Sequence, residues 1–147
     1  MKGNSIAGYG NNRVENDFKD VYSSDLIDRG VGYDVIDFLS YQGERRADWV
    51  ITNPPFKHAK EFIQKSLEVA DIGVAMFLKI QFLEGIGRKQ FLMDSPLKYV
   101  YVFSKRQVIF SNGEEFDENG KRRANTMCFA WFIWEKGYAG EPIIRWI

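Results

Sequence analysis

Short apolar runs alternate with amphipathic segments along this chain, which is the pattern of a parallel α/β sheet. The runs that predict strands are 20–25, 35–39, 49–51, 72–80, 99–103 and 129–134. The run 72–80 is almost continuously apolar, as expected for a strand that is buried on both faces of a sheet. Between 57 and 70, apolar residues recur at spacings of three and four, which predicts a helix with one buried face. The tail, 141–147, is expected to form a final edge piece.

The composition fits a folded protein with one core. The chain has 147 residues, of which 45% are hydrophobic, so we expect a single domain over residues 1–147. Lys plus Arg and Asp plus Glu number 20 each, so a nucleic-acid contact must come from a local basic patch. The one cysteine, Cys128, is expected to be a buried thiol and fits a reducing, cytoplasmic location. No apolar run approaches the roughly 18 residues of a membrane span, and the first residues do not resemble a signal peptide.

The stretch from Asp48 to Phe56, Asp-Trp-Val-Ile-Thr-Asn-Pro-Pro-Phe, carries the clearest chemical signal. The consecutive prolines, Pro54 and Pro55, cannot donate ladder hydrogen bonds, so the strand must end there. A residue that precedes proline is disfavoured in the helical region, so Asn53 is expected to be extended at the strand tip. An amide, a proline carbonyl and an aromatic ring are therefore presented together at the carboxyl end of a strand, where open α/β sheets bind ligands.

Asn-Pro-Pro-Phe after an apolar strand resembles motif IV of the S-adenosylmethionine-dependent adenine-N6 DNA methyltransferases. Residues 20–147 are similar to the later part of a small, phage-type enzyme of this family, in strand order as well as in motif. The resemblance implies a Rossmann-like class I methyltransferase sheet with a C-terminal antiparallel strand pair, 99–103 with 129–134. It also implies S-adenosylmethionine as the cofactor and DNA as the partner.

The tetrapeptide suits methyl transfer to the exocyclic amino group of adenine. The lone pair of this nitrogen is delocalised into the ring, which makes it a poor nucleophile. The side-chain oxygen of Asn53 and the main-chain carbonyl of Pro54 could accept its hydrogens, in bonds that strengthen as positive charge develops. Because Pro55 donates no hydrogen bond either, nearby carbonyls are left free to face a ligand. Phe56 offers a face for a base flipped out of the duplex, or alternatively packs beneath the following helix.

The candidate cofactor residues precede this motif. Asp25, at the end of its strand, could accept hydrogen bonds from ribose hydroxyls, as acids do in nucleotide-binding α/β folds. Asp37 and Phe38 resemble the next family motif, in which an acid meets the adenine of the cofactor and an apolar residue lies on its ring. Without the resemblance, a loop cap at Asp25 and a solvated acid at Asp37 are the simpler interpretations. No metal site is expected, because the chain has one histidine and no cluster of ligands.

The beginning of the chain departs from the family pattern. Gly8 and Gly10 form a Gly-x-Gly turn, 15 to 17 residues before Asp25, but the third glycine and the preceding acid are absent. Ile6 is the only large aliphatic residue between Met1 and this turn, so the first central strand is expected to be short or missing. Either residues 2–7 form a stub, or another chain fills the gap by strand exchange or homo-oligomerisation, or the domain is damaged. A poorly anchored loop predicts weak or undetectable S-adenosylmethionine binding by the isolated chain.

Basic residues in and around segment 104–127 could contact DNA phosphates, although interspersed acids make a solvated hairpin an equal alternative. These basic residues are Lys105, Arg106, Lys121, Arg122 and Arg123. The leading hypothesis is an adenine-N6 DNA methyltransferase. A methyltransferase of the same fold acting on RNA or on a protein glutamine amide is an alternative, since an amide nitrogen has a similarly delocalised lone pair. A truncated domain that binds a partner but is catalytically silent is the non-enzymatic alternative.

Overall fold

The computed structural model describes residues 4–8, 20–28, 30, 32–42, 44–105 and 127–147. Its strands are β1 (Asn4–Gly8), β2 (Asp20–Asp25), β3 (Asp34–Val35), β4 (Ala47–Thr52), β5 (Ala70–Lys79), β6 (Leu97–Val102), β7 (Phe129–Glu135) and β8 (Ile143–Trp146). The helices are α1 (Ala59–Val69) and α2 (Ile86–Asp94), and short 3-10 turns cover Phe38–Ser40, Phe56–His58 and Ile80–Leu83. The predicted edge piece at the tail is therefore a strand, β8.

The strands form one mixed sheet in the order β3-β2-β1-β4-β5-β7-β6-β8. All neighbouring pairs are parallel except those made by β7, which runs antiparallel to both β5 and β6. The predicted C-terminal antiparallel pair is confirmed as β6 with β7. Because the other strands share one direction, their carboxyl ends meet at a single edge of the sheet.

The first central strand is short but present. β1 pairs with β2 from Asn4 to Gly8 and with β4 from Ser5 to Gly8. A central strand gains backbone partners on both sides, and this pairing does not require a run of large aliphatic side chains. The stub expected over residues 2–7 is the alternative that the structure adopts, and no second chain is needed to complete the sheet centre.

Helices α1 and α2 cover one face of the sheet. The fully buried side chains Val74, Met76 and Leu78 alternate along β5 and belong to the same core cluster as Ile63 of α1. Their neighbours on β5, including Phe77, point to the opposite face and are also buried, so the prediction of a strand buried on both faces is confirmed. The motif after β4 therefore lies beside a strand that is buried on both of its faces.

The prediction of a buried thiol at Cys128 is wrong. Cys128 is exposed, because it lies just before β7 begins, where its backbone rather than its side chain joins the fold. Its carbonyl accepts a hydrogen bond from the N–H of Ile80 at 2.9 Å.

Candidate functional site

Three strand ends bring the sequence-predicted positions to one edge of the sheet. Gly8, the last residue of β1, is paired with Ser24 on one side and with Thr52 on the other. Asp25 follows Ser24 at the end of β2, and Asn53 follows Thr52 at the end of β4. The chain segments that sequence reasoning assigned to cofactor and acceptor are thus adjacent at this edge.

A cavity of about 420 Å³ opens at this edge. Its lining includes predicted residues from both halves of the site, namely Asp25, Asp37, Phe38, Asn53, Pro54 and Pro55. Most of the remaining wall is apolar and comes from side chains such as Ile27, Leu39 and Phe62. A largely apolar cleft with a few polar groups, within the usual range of roughly 300–1,000 Å³, is typical of a small-molecule site.

The tetrapeptide leaves the strand in the extended form that its prolines predict. β4 ends at Thr52, and Pro55 has φ −56° and ψ 123°, which keeps the chain extended before the 3-10 turn Phe56–His58. Thr52 and Pro54 are buried while Asn53 is half-buried, so the amide lies at the cavity wall rather than inside the core. A polar group on a short, proline-stiffened turn between a strand and a helix has little freedom to move.

The two proline carbonyls differ in their hydrogen bonding. The carbonyl of Pro55 accepts from the N–H of His58 at 2.9 Å, which begins the turn into α1. No backbone N–H of the described residues donates to the carbonyl of Pro54. Pro54 therefore retains acceptor capacity beside Asn53, as the chemistry of the motif requires.

Asp25 and Asp37 both have local hydrogen bonds. The Asp25 carboxylate accepts from the N–H of Ile27 at 3.2 Å, and its main-chain carbonyl accepts from the N–H of Ile36 at 2.8 Å. Asp37 accepts from the N–H of Leu39 at 3.1 Å and from the hydroxyl of Ser40 at 2.8 Å. The simpler interpretation of Asp25 as a loop cap therefore describes part of its role, and Asp37 caps the 3-10 turn Phe38–Ser40.

These bonds hold the Asp37 carboxylate in place and orient the residue that follows it. The hydroxyl of Ser40, and then the backbone N–H groups of Leu39 and Ser40, lower the pKa of Asp37 despite partial desolvation. The capped turn holds Phe38 at the cavity wall, where its ring stacks on Phe62 of α1 with centroids 5.4 Å apart. Asp37 and Phe38, which the resemblance singled out, thus act together. Asp37 caps the turn, and the turn holds the ring of Phe38 at the cavity wall.

Phe56 packs against β7 of the sheet instead of beneath α1. The ring is 41% exposed, and its centroid is 5.9 Å from that of Phe129 in β7. The ammonium of Lys79 lies 4.5 Å from the Phe56 centroid. Phe129 in turn stacks on Phe77 at 5.1 Å, so the exposed ring rests on a buried aromatic base.

Sequence reasoning missed Phe77, Lys79 and Phe129 as supports of Phe56. Lys79 and Phe129 are register partners between β5 and β7, although 50 positions separate them in the sequence. Both strands were predicted from their apolar runs, 72–80 and 129–134, but the pairing of one with the other was not.

Several predicted residues lie outside the described part of the chain, namely Gly10, Arg106, Lys121, Arg122 and Arg123. Lys105 is described and is exposed just after β6. Within the described ranges, no three His, Cys, Asp or Glu side chains are grouped as a metal site. No helix in those ranges is long and apolar enough to cross a membrane.

Comparison with known proteins identifies the fold. No family model matches the sequence, and no curated protein matches it significantly. The solved 23S rRNA methyltransferase ErmE superposes with a TM-score of 0.59 at 12% identity, over 95% of this chain and 64% of ErmE. A modification subunit of a putative type I restriction enzyme from Vibrio vulnificus superposes with a TM-score of 0.55 at 11% identity, over 99% of this chain and 43% of that one.

A third similar structure contains the cofactor that the sequence predicted. Magnesium protoporphyrin IX methyltransferase from Synechocystis, solved with bound S-adenosylmethionine, superposes with a TM-score of 0.57 at 12% identity, over 92% of this chain and 70% of that one. The chain spans less than two thirds of the length of ErmE and of the restriction-enzyme subunit. Identities this low establish architecture alone, and the protein has the Rossmann-like class I methyltransferase fold.

Proposed function

We propose that this protein transfers a methyl group from S-adenosylmethionine to the exocyclic amino nitrogen of adenine in DNA. One observation carries the proposal. Asn53 and Pro54, which carry the proposed acceptor amide and carbonyl, line the cavity whose other residues suit a nucleoside cofactor. The class I methyltransferase fold supports it, as does the solved neighbour that contains S-adenosylmethionine.

The cavity residues fit the chemistry of this cofactor. Two carboxylates, Asp25 and Asp37, line a mostly apolar space that also contains the ring of Phe38. Carboxylates suit ribose hydroxyls and an amino group, and an aromatic ring suits an adenine face. Gly8 ends β1 between the segment that leads to Asp25 and the segment that leads to Asn53. Because glycine has no side chain, a ligand can approach its backbone closely. When bound, the cofactor supplies a methyl group that its sulfonium has already activated.

The protein's own contribution is to hold the acceptor nitrogen and support its developing charge. The Asn53 side-chain oxygen and the Pro54 carbonyl accept the two amino hydrogens and draw the nitrogen toward tetrahedral geometry. These bonds strengthen as positive charge grows on the nitrogen, so they stabilise the transition state more than the ground state. Pro55 keeps the turn extended, and Phe56 stacks against the base, which must leave a duplex to reach it.

DNA is the proposed acceptor, and RNA is the second candidate. The aromatic ring of Phe56 favours a nucleic acid over a protein amide. The similarity to a restriction-modification subunit favours DNA, whereas the similarity to a 23S rRNA methyltransferase favours RNA. The basic residues Lys105, Arg106, Lys121, Arg122 and Arg123 are the proposed phosphate contacts. We place the reaction in the cytoplasm and assign it to a single domain of residues 1–147.

The test is transfer of a labelled methyl group from S-adenosylmethionine. The purified chain is incubated with single-stranded DNA, double-stranded DNA, total RNA or a glutamine-containing peptide, and each product is digested and chromatographed. We expect label in N6-methyladenine from DNA, at a rate several hundredfold lower with Asn53→Ala. Label in RNA or in the peptide would replace the proposed acceptor with an alternative. Cofactor binding without transfer to any acceptor would favour the catalytically silent domain.

A further inference from the structure

The two edge strands, β8 and β3, differ in length and in the apolar surface that they expose. Among the strands that the structure describes, β8 pairs with β6 alone and is the last in the sheet order. All of its residues are exposed, including Ile144 at 52% and Trp146 at 71%. The opposite edge, β3, has two residues, of which Asp34 is an acid. Short, charged edges resist pairing with other chains, whereas exposed apolar edges favour it.

The hydrogen bonds of Ile147 show which backbone groups of β8 face away from the sheet. Its N–H donates to the carbonyl of Val102 at 3.0 Å, and its carbonyl accepts from the N–H of Ser104 at 2.7 Å. Because the direction of the backbone groups alternates along a strand, Arg145 also directs its N–H and carbonyl toward β6. Ile144 and Trp146 therefore direct theirs outward, from the free edge.

We propose that β8 is a self-association edge, at which a second copy of this chain pairs antiparallel about a two-fold axis. The two sheets then become one continuous sheet. A two-fold contact uses the same surface on both copies, so the strand must be complementary to itself. The apolar residues Ile143, Ile144 and Trp146 surround one charged residue, Arg145, and β8 contains no acid that would repel its own copy.

Charge and hydrogen bonding select the register of this pair. An axis at Arg145 would place the two guanidinium groups directly opposite each other, which is destabilising. An axis at Ile144 places Ile144 opposite its own copy, where each donates its N–H to the carbonyl of the other. Arg145 then lies opposite Ile143 of the other copy, and its guanidinium is already held 4.8 Å from the Tyr99 centroid of its own sheet.

The same register defines where the ladder ends. Trp146 lies opposite Pro142 of the other copy and donates its N–H to that proline's carbonyl. Because Pro142 has no N–H to give in return, the pairing stops at this position. The exposed indole of Trp146 covers the proline ring, so the contact removes apolar surface from water at both ends.

Sedimentation equilibrium of the full chain tests the proposal. We expect a concentration-dependent mass that rises from 17.1 kDa to twice that value. Ile144→Pro removes an N–H that faces away from β6, so the fold should survive, as a circular-dichroism spectrum and melting curve will verify. It should weaken dimerisation roughly tenfold to a hundredfold, since each copy loses a hydrogen bond across the edge.

The matched control makes the same substitution at another exposed isoleucine. Ile86 is the first residue of α2, where proline is tolerated because its N–H has no partner within the helix. Ile86→Pro should leave the dimerisation constant unchanged. A chain that stays monomeric at all concentrations would overturn the proposal, as would a dimer that Ile144→Pro does not weaken.

Oxidative cross-linking tests the register independently of affinity. In a Cys128→Ser background, Ile144→Cys places two thiols opposite each other, at a Cα separation of about 5.5 Å that suits a disulfide. Ile143→Cys places each thiol opposite Arg145 instead. We expect efficient cross-linking with Ile144→Cys and little with Ile143→Cys, and the reverse result would reject the register. Neither experiment depends on methyl transfer, so failure of the proposed function would leave this inference intact.

Discussion

The part of the sheet at β5 and β7, which is proposed to support the acceptor, is paired and buried more extensively than the part at β2 and β3, which is proposed to hold the cofactor. These are called the acceptor half and the cofactor half. β5 and β7 pair at seven consecutive positions, and residues 73–78 of β5 are all buried. β2 and β3 pair at two positions, and both residues of β3 are exposed. Side chains at the ends of these two regions therefore have very different support.

The difference matches what each half is proposed to do. Acceptor groups stabilise a transition state only when they are held in place beforehand, because reorganisation during the reaction would reduce the benefit. A cofactor pocket can gain order when its ligand binds, at about 1–2 kcal/mol of backbone entropy for each residue that becomes fixed. Substitutions in the cofactor half should therefore change the affinity for the cofactor. Substitutions in the acceptor half should change stability and turnover.

Truncating a buried side chain of β7, in the acceptor half, should produce the largest change in the free energy of unfolding. Trp134 is fully buried in β7, and its indole N–H donates to the hydroxyl of Ser95 at 2.9 Å. We expect Trp134→Ala to lower the free energy of unfolding by about 3–5 kcal/mol, measured by urea denaturation. Val35→Ala, in the exposed strand β3, should change it by less than about 0.5 kcal/mol. Equal losses would remove the contrast between the halves.

Removing the acceptor amide should reduce turnover without affecting the fold. Asn53→Ala deletes one preorganised hydrogen-bond acceptor, so we expect turnover to fall several hundredfold, equivalent to about 3–4 kcal/mol. Asn53→Asp retains an acceptor oxygen and should lose less. The melting temperature of both variants should stay close to that of the parent, because the side chain is only half-buried. Turnover within threefold of the parent for Asn53→Ala would reject its assigned role.

The smallest expected effect concerns the hydrogen bond between Tyr22 of β2 and Asp34 of β3. Partial burial, and then the hydrogen bond from its hydroxyl to Asp34 at 2.7 Å, raise the pKa of Tyr22 from 10.0 to about 12. Between these two values the folded state binds more protons than the unfolded state, so stability should fall as pH rises from about 10 to about 12.

Urea denaturation of the parent and of Tyr22→Phe across this pH range measures the effect. The phenylalanine variant lacks the ionising hydroxyl, so its stability should fall less steeply with pH. The tyrosine titration that ultraviolet absorbance records near pH 12 in the parent should be absent from the variant. Parallel stability curves for the two proteins would show that this contact does not couple β3 to β2.

The sequence predicted best where local chemistry determines the backbone. Two prolines were enough to place the end of β4 at Thr52, since they restrict their own and neighbouring residues. The capping role of Asp37 was not predicted, because it depends on the turn to Ser40 that forms only beside α1. The support of Phe56 by Phe129 also escaped prediction, because it requires β7 to pair next to β5. β1 was underestimated, since its stability comes from partners on both sides and Ile6 is its only large aliphatic residue.

The central claim is that the two halves of the site divide cofactor binding from acceptor binding. The most direct measurement is a nuclear magnetic resonance titration of the full chain with S-adenosylmethionine. The weak binding predicted from the short β1 remains our expectation for the parent chain. Phe38→Ala should weaken this binding by roughly 1–3 kcal/mol, or about fivefold to 150-fold, because it removes the aromatic wall of the cavity. Phe56→Ala should leave it within about twofold, because the ring rests on β7. Equal losses in the two variants, or a larger loss with Phe56→Ala, would contradict the account.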